Sequence, residues 1–214
     1  MKILAIDRST DVQSVAFAAE GMIASAVFEG ADSRSADWPV RIKDFLAEHG
    51  CGFCDLDKIV IGIGPGSFAG IRGALSFAQG LALGIKSKRH DLADSPVVYG
   101  LASPMAMAEA TGITAVVGDA RRGLFWVAVY DGVNVMQDLH LVSDGELASS
   151  VPQDAVVATP DSVRIGGKLE EVFGARFAGG RSPSAERLAS IALAHPELLK
   201  PEPLPVYLSP AVRT

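Results

Sequence analysis

Residues 59–70 read IVIGIGPGSFAG, and this stretch decides how the first half of the chain folds. Its β-branched residues predict a buried strand over residues 58–63, and the glycines that follow predict a tight turn. Ser67 stands where a helix N-cap is expected, ahead of an apolar segment that runs from Phe68 to about Gly84. A strand, a glycine turn and a helix N-terminus in this order are how many phosphate-binding loops are built.

The glycine turn nevertheless lacks the residues with which such loops hold nucleotides. No Gly-Lys-Ser/Thr follows it, and Ser67 takes the place of the third glycine of the dinucleotide-binding pattern. The predicted helix instead has small residues at three- and four-residue spacing, which is typical of close helix packing. Packing is therefore favoured over phosphate binding for this turn. The small positions are Gly70, Gly73, Ala74, Gly80 and Gly84.

The pattern around the first strand recurs 112 residues further along, with Asp7 matching Asp119. Residues 3–7, 14–18 and 22–28 predict a β-meander, and residues 114–119, 124–130 and 133–141 predict a second one. Each meander is followed by helical segments and a further strand. The sequence therefore predicts a duplicated α/β protein with mixed sheets, in two lobes that cover residues 1–100 and 101–214.

Two interpretations of the strand-end aspartates stay open. An Asp at the carboxyl end of a first strand lies where α/β proteins bind ligands, so Asp7 and Asp119 are candidates to hold Mg²⁺ and nucleotide phosphates. Asp is equally suited to a tight turn, because its carboxylate accepts a hydrogen bond from the backbone two residues on. The arginines at positions 121 and 122 allow the same pair of interpretations, a phosphate or partner contact and a solvated turn.

The charge and the scattered Cys and His residues exclude several function classes. The formal net charge of −6 argues against binding of RNA or DNA by the chain alone, because such proteins present basic surfaces to the phosphates. Cys51 and Cys54 have redox or zinc spacing, but no second pair completes a zinc site, so two ordinary loop cysteines are favoured. The four His residues form no metal-binding pattern, and no Gly-x-Ser-x-Gly motif marks a hydrolase. We expect a cytoplasmic protein without a membrane span or signal peptide.

Four segments together resemble the bacterial TsaB (YeaZ) family over nearly the whole chain. They are ILAIDRST, GIGPGSFAGIRGA, DARRGLFWVAVY and the tail PVYLSP. The resemblance implies the actin-like, Hsp70-like ATPase fold. It also implies a non-catalytic scaffold subunit that works with TsaD and TsaE. That complex transfers the threonylcarbamoyl group from threonylcarbamoyl-adenylate to N6 of adenosine 37 in tRNAs reading ANN codons.

The resemblance carries further expectations about partners and cofactors. TsaD is the main partner, tRNA is contacted only through the complex, and the chain forms a homodimer when alone. No cofactor is required by this chain, since ATP or ADP and a metal belong to the partner subunits. The alternative is a stand-alone nucleotide-binding hydrolase, an ATPase or a glycoprotease-like peptidase. Residual nucleotide binding would fall on Asp7, Ser9, Thr10, Gly64, Gly66 and Asp119, and no catalytic residue is assigned.

The partner-binding face is expected on the two helices that flank the glycine turn. A bulky charge at Gly73 or Ala74 is expected to block pairing while the monomer stays folded. The chain departs from the family pattern at several positions, and Arg8 crowds a turn that small residues normally fill. The face is assigned to Trp38, Ile42, Phe45, Leu46, Ser67, Phe68, Gly70, Ile71, Arg72, Gly73, Ala74 and Leu75.

Overall fold

The computed structural model describes residues 1–29, 37–88 and 96–208. Contacts divide the chain into two compact units, each built around one β-sheet. The first unit comprises residues 1–106 and 183–206, and the second comprises residues 107–182 together with the tail from residue 207.

The first unit contains a six-stranded mixed sheet in the order β11-β5-β4-β1-β2-β3. β1 pairs antiparallel with β2 and parallel with β4, so the meander and the parallel strands share the first strand. The strands are β1 (Ile3–Asp7), β2 (Gln13–Ala19), β3 (Met22–Phe28), β4 (Lys58–Gly62), β5 (Val97–Leu101) and β11 (Lys200–Pro201).

Three helices cover the two faces of this sheet: α1 (Trp38–Glu48), α2 (Phe68–Lys88) and α5 (Ala185–Ala194). Apolar side chains alternate along β1, so that Leu4 and Ile6 pack in one core with residues of α1 and α2. The helix α5 contacts β1, β2, β3 and β4. Its first turn is tied to the sheet because the backbone N–H of Ala185 donates to the Ser14 hydroxyl, at 2.9 Å.

The second unit has a five-stranded sheet in the order β10-β9-β6-β7-β8. A core of aliphatic and aromatic side chains lies between one face of this sheet and the helix α4 (Ser162–Phe173), with the short helix α3 (Leu147–Ser150) beside it. The strands are β6 (Ile113–Arg121), β7 (Leu124–Asp131), β8 (Asn134–Ser143), β9 (Val156–Thr159) and β10 (Phe177–Gly180).

The strand orders confirm the predicted duplication. β6 pairs antiparallel with β7 and parallel with β9, as β1 does with β2 and β4. The offset is not constant, however: Asp7 pairs with Ser14, whereas Asp119 pairs with Phe125. The turn after Asp119 is therefore one residue shorter, and a β-bulge between Asp119 and Arg121 accompanies the change.

The domain division differs from the predicted boundary between residues 100 and 101. The segment from residue 183 to 206 belongs to the first unit, because α5 buries its apolar side chains against β1 and β2. The sequence pattern predicts a helix around residues 185–194, where α5 lies, but carries no signal about which sheet the helix covers. Apolar residues at helical spacing also predict a helix over residues 36–49, and its predicted start at Ala36 lies outside the described residues.

Candidate functional site

Asp7 ends β1 and is completely buried, with 0% of its surface exposed. Its Oδ1 accepts two hydrogen bonds from Ser9, one from the backbone N–H at 2.8 Å and one from the hydroxyl at 2.6 Å. A carboxylate that accepts from the residue two positions on forms an Asx-type turn. The turn interpretation of Asp7 therefore describes the geometry of this end of β1.

The second carboxylate oxygen of Asp7 is enclosed by neighbouring strands. A Cβ added at Gly62 would lie 1.8 Å from Asp7 Oδ2, so only glycine fits at that position. Among the described residues no group donates to Oδ2 with hydrogen-bond geometry, although the Ser103 hydroxyl lies nearby. Burial raises the pKa of Asp7, and the hydroxyls of Ser9 and Ser103 offset this only in part. The site favours a neutral, enclosed carboxyl group.

The glycine turn is filled by the backbone that follows β1. A Cβ at Gly66 would lie 2.1 Å from the carbonyl oxygen of Ser9, and one at Gly70 would lie 2.0 Å from that of Arg8. The N–H of Ser67 donates to the same Ser9 carbonyl at 2.7 Å. The glycines are therefore needed so that two backbone segments can touch, which confirms packing as their role.

Two further residues of the predicted nucleotide site, Gly64 and Thr10, also form hydrogen bonds within the chain. The N–H of Gly64 donates to the Ser103 hydroxyl at 3.0 Å, and the hydroxyl of Thr10 donates to the carbonyl of Val12 at 2.6 Å. The tail segment also lies beside the turn, because the N–H of Val206 donates to the carbonyl of Ile63.

These residues do not fit a nucleotide or a magnesium ion in the first unit. A phosphate needs free backbone N–H groups, and those of Gly64 and Ser67 already donate to Ser103 and Ser9. A magnesium ion needs an accessible carboxylate, and Asp7 is enclosed.

The matching strand end of the second unit is open and charged. The side chain of Asp119 is 15% exposed, and its Oδ2 lies 3.0 Å from Arg164 Nε and 3.3 Å from Arg121 Nη1. The N–H of Asp119 donates to Asp161 at 2.8 Å, and Asp161 also forms an ion pair with Arg164. The Oδ1 of Asp119 accepts from the backbone N–H of Arg121 at 2.8 Å, as Asp7 accepts from Ser9, but arginine side chains rather than backbone surround this carboxylate.

Sulfhydryl and metal chemistry find no support in the described ranges 1–29, 37–88 and 96–208. No group of three or more His, Cys, Asp or Glu side chains there is placed to hold a metal ion. Cys51 is buried and Cys54 is exposed, and the two are not bonded to each other. Burial raises the pKa of Cys51, which disfavours the reactive thiolate.

The structure divides the predicted partner-binding residues into a core group and a surface group. The core group corrects the prediction, because side chains that pack the monomer against β1, β2 and β4 cannot also anchor a partner. It contains Ile42, Phe45, Leu46, Ile71, Ala74 and Leu75, each no more than 7% exposed. Gly70 is buried as well, against the carbonyl of Arg8.

The surface group begins at the start of α2. Ser67 is exposed, and its hydroxyl caps α2 by accepting from the N–H of Gly70 at 3.2 Å. Phe68 is 57% exposed, and the guanidinium of Arg72 lies 4.8 Å from the centre of its ring. Trp38 and Gly73 are half-buried.

An exposed stripe of small residues runs along α2, and the sequence interpretation assigned only part of it. Cβ atoms added at Gly80 or Gly84 would meet nothing within 4 Å, and Leu83 is 67% exposed. Between Phe68 and Ile85 the only charged residue is Arg72. We call this surface the α2 stripe: Ala69, Gly73, Ser76, Gly80, Leu83 and Gly84. On a helical wheel of α2 with Ile71 and Ala78 on the buried side, these positions fall towards the opposite side.

By length and composition, α2 is the one described helix that is able to cross a membrane. The same helix supplies Ile71, Ala74, Leu75, Ala78 and Ile85 to the buried part of the first unit. Its hydropathy is accounted for by one face in the core and an uncharged face at the surface.

Comparisons with known proteins agree with this duplicated two-sheet architecture. YeaZ from Pseudomonas aeruginosa superposes with a TM-score of 0.72 and 25% identity, covering 97% of this chain and 99% of that one. A second Pseudomonas aeruginosa structure, described as similar to peptidase YEAZ, gives a TM-score of 0.75 at 22% identity with the same coverage. The chain is thus a mixed α/β protein with two mixed sheets, as predicted.

Sequence comparisons identify the family. Residues 33–139 match the TsaD family model, tRNA N6-adenosine threonylcarbamoyltransferase. The Escherichia coli tRNA threonylcarbamoyladenosine biosynthesis protein TsaB is 35% identical over 138 residues, covering 61% of this chain and 55% of that protein. The Haemophilus influenzae TsaB is 34% identical over 110 residues, with 51% and 43% covered. The matched part spans about half the length of these relatives. The chain belongs to the TsaB/YeaZ family.

Proposed function

We propose that this chain is a non-catalytic subunit of the cytoplasmic machinery that makes threonylcarbamoyladenosine in tRNA. The names of the Escherichia coli and Haemophilus influenzae relatives support the pathway. The scaffold role rests on one observation above the others. The strand end that would hold a nucleotide in the first unit is filled by the chain's own backbone, with Asp7 fully buried.

In this proposal the chain acts through a TsaD protein, and the α2 stripe is the docking surface. Small residues allow two helices to approach closely, and the absence of charged residues between Arg72 and Ile85 lowers the cost of removing water from the surface. The family model matches residues 33–139, which contain α1 and α2. A TsaD chain would therefore present helices of the same kind, and two like faces can pair across a pseudo-two-fold axis.

The remaining parts of the proposal concern the other components. TsaE completes the complex, and the tRNAs that are modified read ANN codons. ATP and the metal belong to the partner subunits. The chain meets tRNA only within the complex, because its net charge of −6 disfavours binding to a polyanion. When no TsaD is present, the same α2 stripe pairs two copies of this chain.

The second candidate is a stand-alone nucleotide-binding hydrolase, and one observation favours it. The strand end at Asp119 in the second unit is open, with Arg121 and Arg164 beside the carboxylate. Arginines are common phosphate ligands, but here their charge is engaged by Asp119 and Asp161. The scaffold proposal is therefore preferred.

Reconstitution tests the proposal. TsaD and TsaE from the same organism, threonylcarbamoyl-adenylate and unmodified tRNA are combined with and without this chain, and modified adenosine is measured by mass spectrometry. We expect modification only when the chain is present, and no ATP or peptide hydrolysis by the chain alone. Equal modification without the chain, or hydrolysis that disappears in an Asp119→Asn variant, would contradict the scaffold role.

A further inference from the structure

Arg8 connects three elements of the first unit at the edge of the α2 stripe. Its guanidinium carbon lies 4.1 Å from the centre of the Trp38 ring, at the first residue of α1. One terminal nitrogen is 3.5 Å from the position that a Cβ would take at Gly73 on α2. Its Nε donates to the side chain of Gln13, where β2 begins.

The Trp38 ring extends this contact towards the middle of α2. Trp38 packs edge-on against Phe77 with ring centres 4.7 Å apart, and Phe77 in turn packs against Phe53 at 6.0 Å. At the N-cap of α1, Asp37 accepts from the backbone N–H groups of Val40 and Arg41 through its carbonyl and pairs with the Arg41 side chain, and Trp38 follows it directly. The stack of Arg8, Trp38 and Phe77 therefore sets how α1 begins relative to α2.

The position of Arg8 is costly unless its contacts are made. Arg8 is half-buried, and this burial lowers the pKa of its guanidinium. A flat guanidinium on an indole face recovers part of that cost, and lysine cannot reproduce the planar contact. The contact is therefore specific to arginine rather than to positive charge.

We propose that Arg8 is a positioning residue for partner binding: it holds Trp38 and the first turn of α1 beside Gly73, so that the edge of the α2 stripe is fixed before the partner arrives. The inference rests on the proposed function of the α2 stripe. A preformed surface loses less conformational entropy on association, so Arg8 contributes to affinity without touching the partner.

The experiment measures the affinity of the full chain for its TsaD partner by calorimetry, alongside ¹⁵N–¹H spectra of the two tryptophan indoles. Arg8→Ala is expected to weaken binding about tenfold, or about 1.4 kcal/mol. It is also expected to shift the Trp38 indole signal, assigned with Trp38→Phe, and to leave that of Trp126 in place. Arg8→Lys, which keeps the charge and the aliphatic stem, is expected to rescue binding only in part. Arg176→Ala is the matched control, because it removes a guanidinium that lies 5.2 Å from the Phe173 ring in the second unit, outside both α1 and α2.

A double-mutant cycle decides whether Arg8 acts through Trp38. In a Trp38→Leu background, Arg8→Ala should change the affinity less than twofold, since the contact is already lost. An Arg8→Ala variant that binds like the wild type overturns the inference. Weakened binding with an unchanged Trp38 signal also overturns it, because Arg8 would then contact the partner directly. If the wild-type chain does not bind TsaD, the proposed function itself is wrong. The wild-type titration alone reveals that result.

Discussion

The two units have the same strand order but opposite environments at the carboxyl end of the first strand. In the first unit Asp7 is fully buried, and the backbone carbonyls of Arg8 and Ser9 lie against Gly70 and Gly66. In the second unit Asp119 is partly exposed and faces two arginines. The difference shows that one topology can either close or keep open the place where ligands bind in α/β proteins.

The closed end has a consequence for the helix that follows it. Because Ser9 and Arg8 occupy the space in front of the glycine turn, the N-terminus of α2 meets the chain's own backbone rather than a ligand. The α2 helix then meets other molecules through its exposed side, which includes the α2 stripe. This is why we assign partner binding, rather than catalysis, to the first unit.

The contrast between the buried Asp7 end and the open Asp119 end would be lost if the glycines beside Asp7 tolerated side chains. Gly70→Ala would bring a Cβ within 2.0 Å of the Arg8 carbonyl, so we expect a loss of about 3 kcal/mol or failure to fold. Gly80→Ala on the same helix is the matched control. Its Cβ meets nothing within 4 Å, and it should gain up to about 1 kcal/mol. Urea unfolding of both variants provides the measurement, and equal stabilities would contradict the packing role.

A second prediction separates the two sides of α2. Ala74 is 0% exposed, so Ala74→Glu buries a charge in the core and should cost about 3 kcal/mol or more. Ser76 is exposed, and Ser76→Glu should change stability by less than about 0.5 kcal/mol. Thermal unfolding followed by circular dichroism compares them. A stable Ala74→Glu chain would restore the original expectation that this position faces a partner.

A third prediction uses pH to test the buried carboxyl. The pKa of Asp7 is raised in the folded chain, so folding favours its protonated form. Stability from this group is present at acid pH and is lost as pH rises from about 4 through the folded-state pKa. Asp7→Asn should therefore stabilise the protein more at pH 7.5 than at pH 4. A melting-temperature difference that does not grow between the two pH values would show that Asp7 is not held in a neutral, enclosed state.

The smallest effect is expected at the open end. Asp119→Asn weakens ion pairs with Arg121 and Arg164, whose side chains are 66% and 43% exposed. Such exposed pairs contribute between about 0 and 1 kcal/mol, so the variant should unfold within that range of the wild type. A loss larger than that of Gly70→Ala would reverse the comparison between the two ends.

Much of the fold is predictable from local sequence patterns, and the errors of that prediction have physical causes. The strands of both meanders and the helix at residues 185–194 follow from hydrophobic period and turn residues. The strands at Val97–Leu101 and Phe177–Gly180 are not predicted; they contain one and two glycines, and glycine is a weak strand former. The assignment of α5 to the first sheet depends on long-range contacts that no local pattern encodes.

The candidate site was predicted less well because two faces of one helix look alike in sequence. On α2 both faces are apolar or small, so Leu75 was assigned to a partner although it is 5% exposed. Phe68, assigned to the same set, is 57% exposed. The role of Arg8 could not be foreseen, because its contact with Trp38 joins residues thirty positions apart.

The most direct test of the central claim places a large charge on the α2 stripe. Ser76→Arg should leave the circular dichroism and melting temperature unchanged, weaken TsaD binding about 100-fold or more, and lower tRNA modification to the level without the chain. Ser149→Arg, on the exposed side of α3 in the second unit, is the matched control and should bind within twofold of the wild type. A folded Ser76→Arg chain that binds TsaD normally and supports full modification would contradict the claim that α2 is the docking surface.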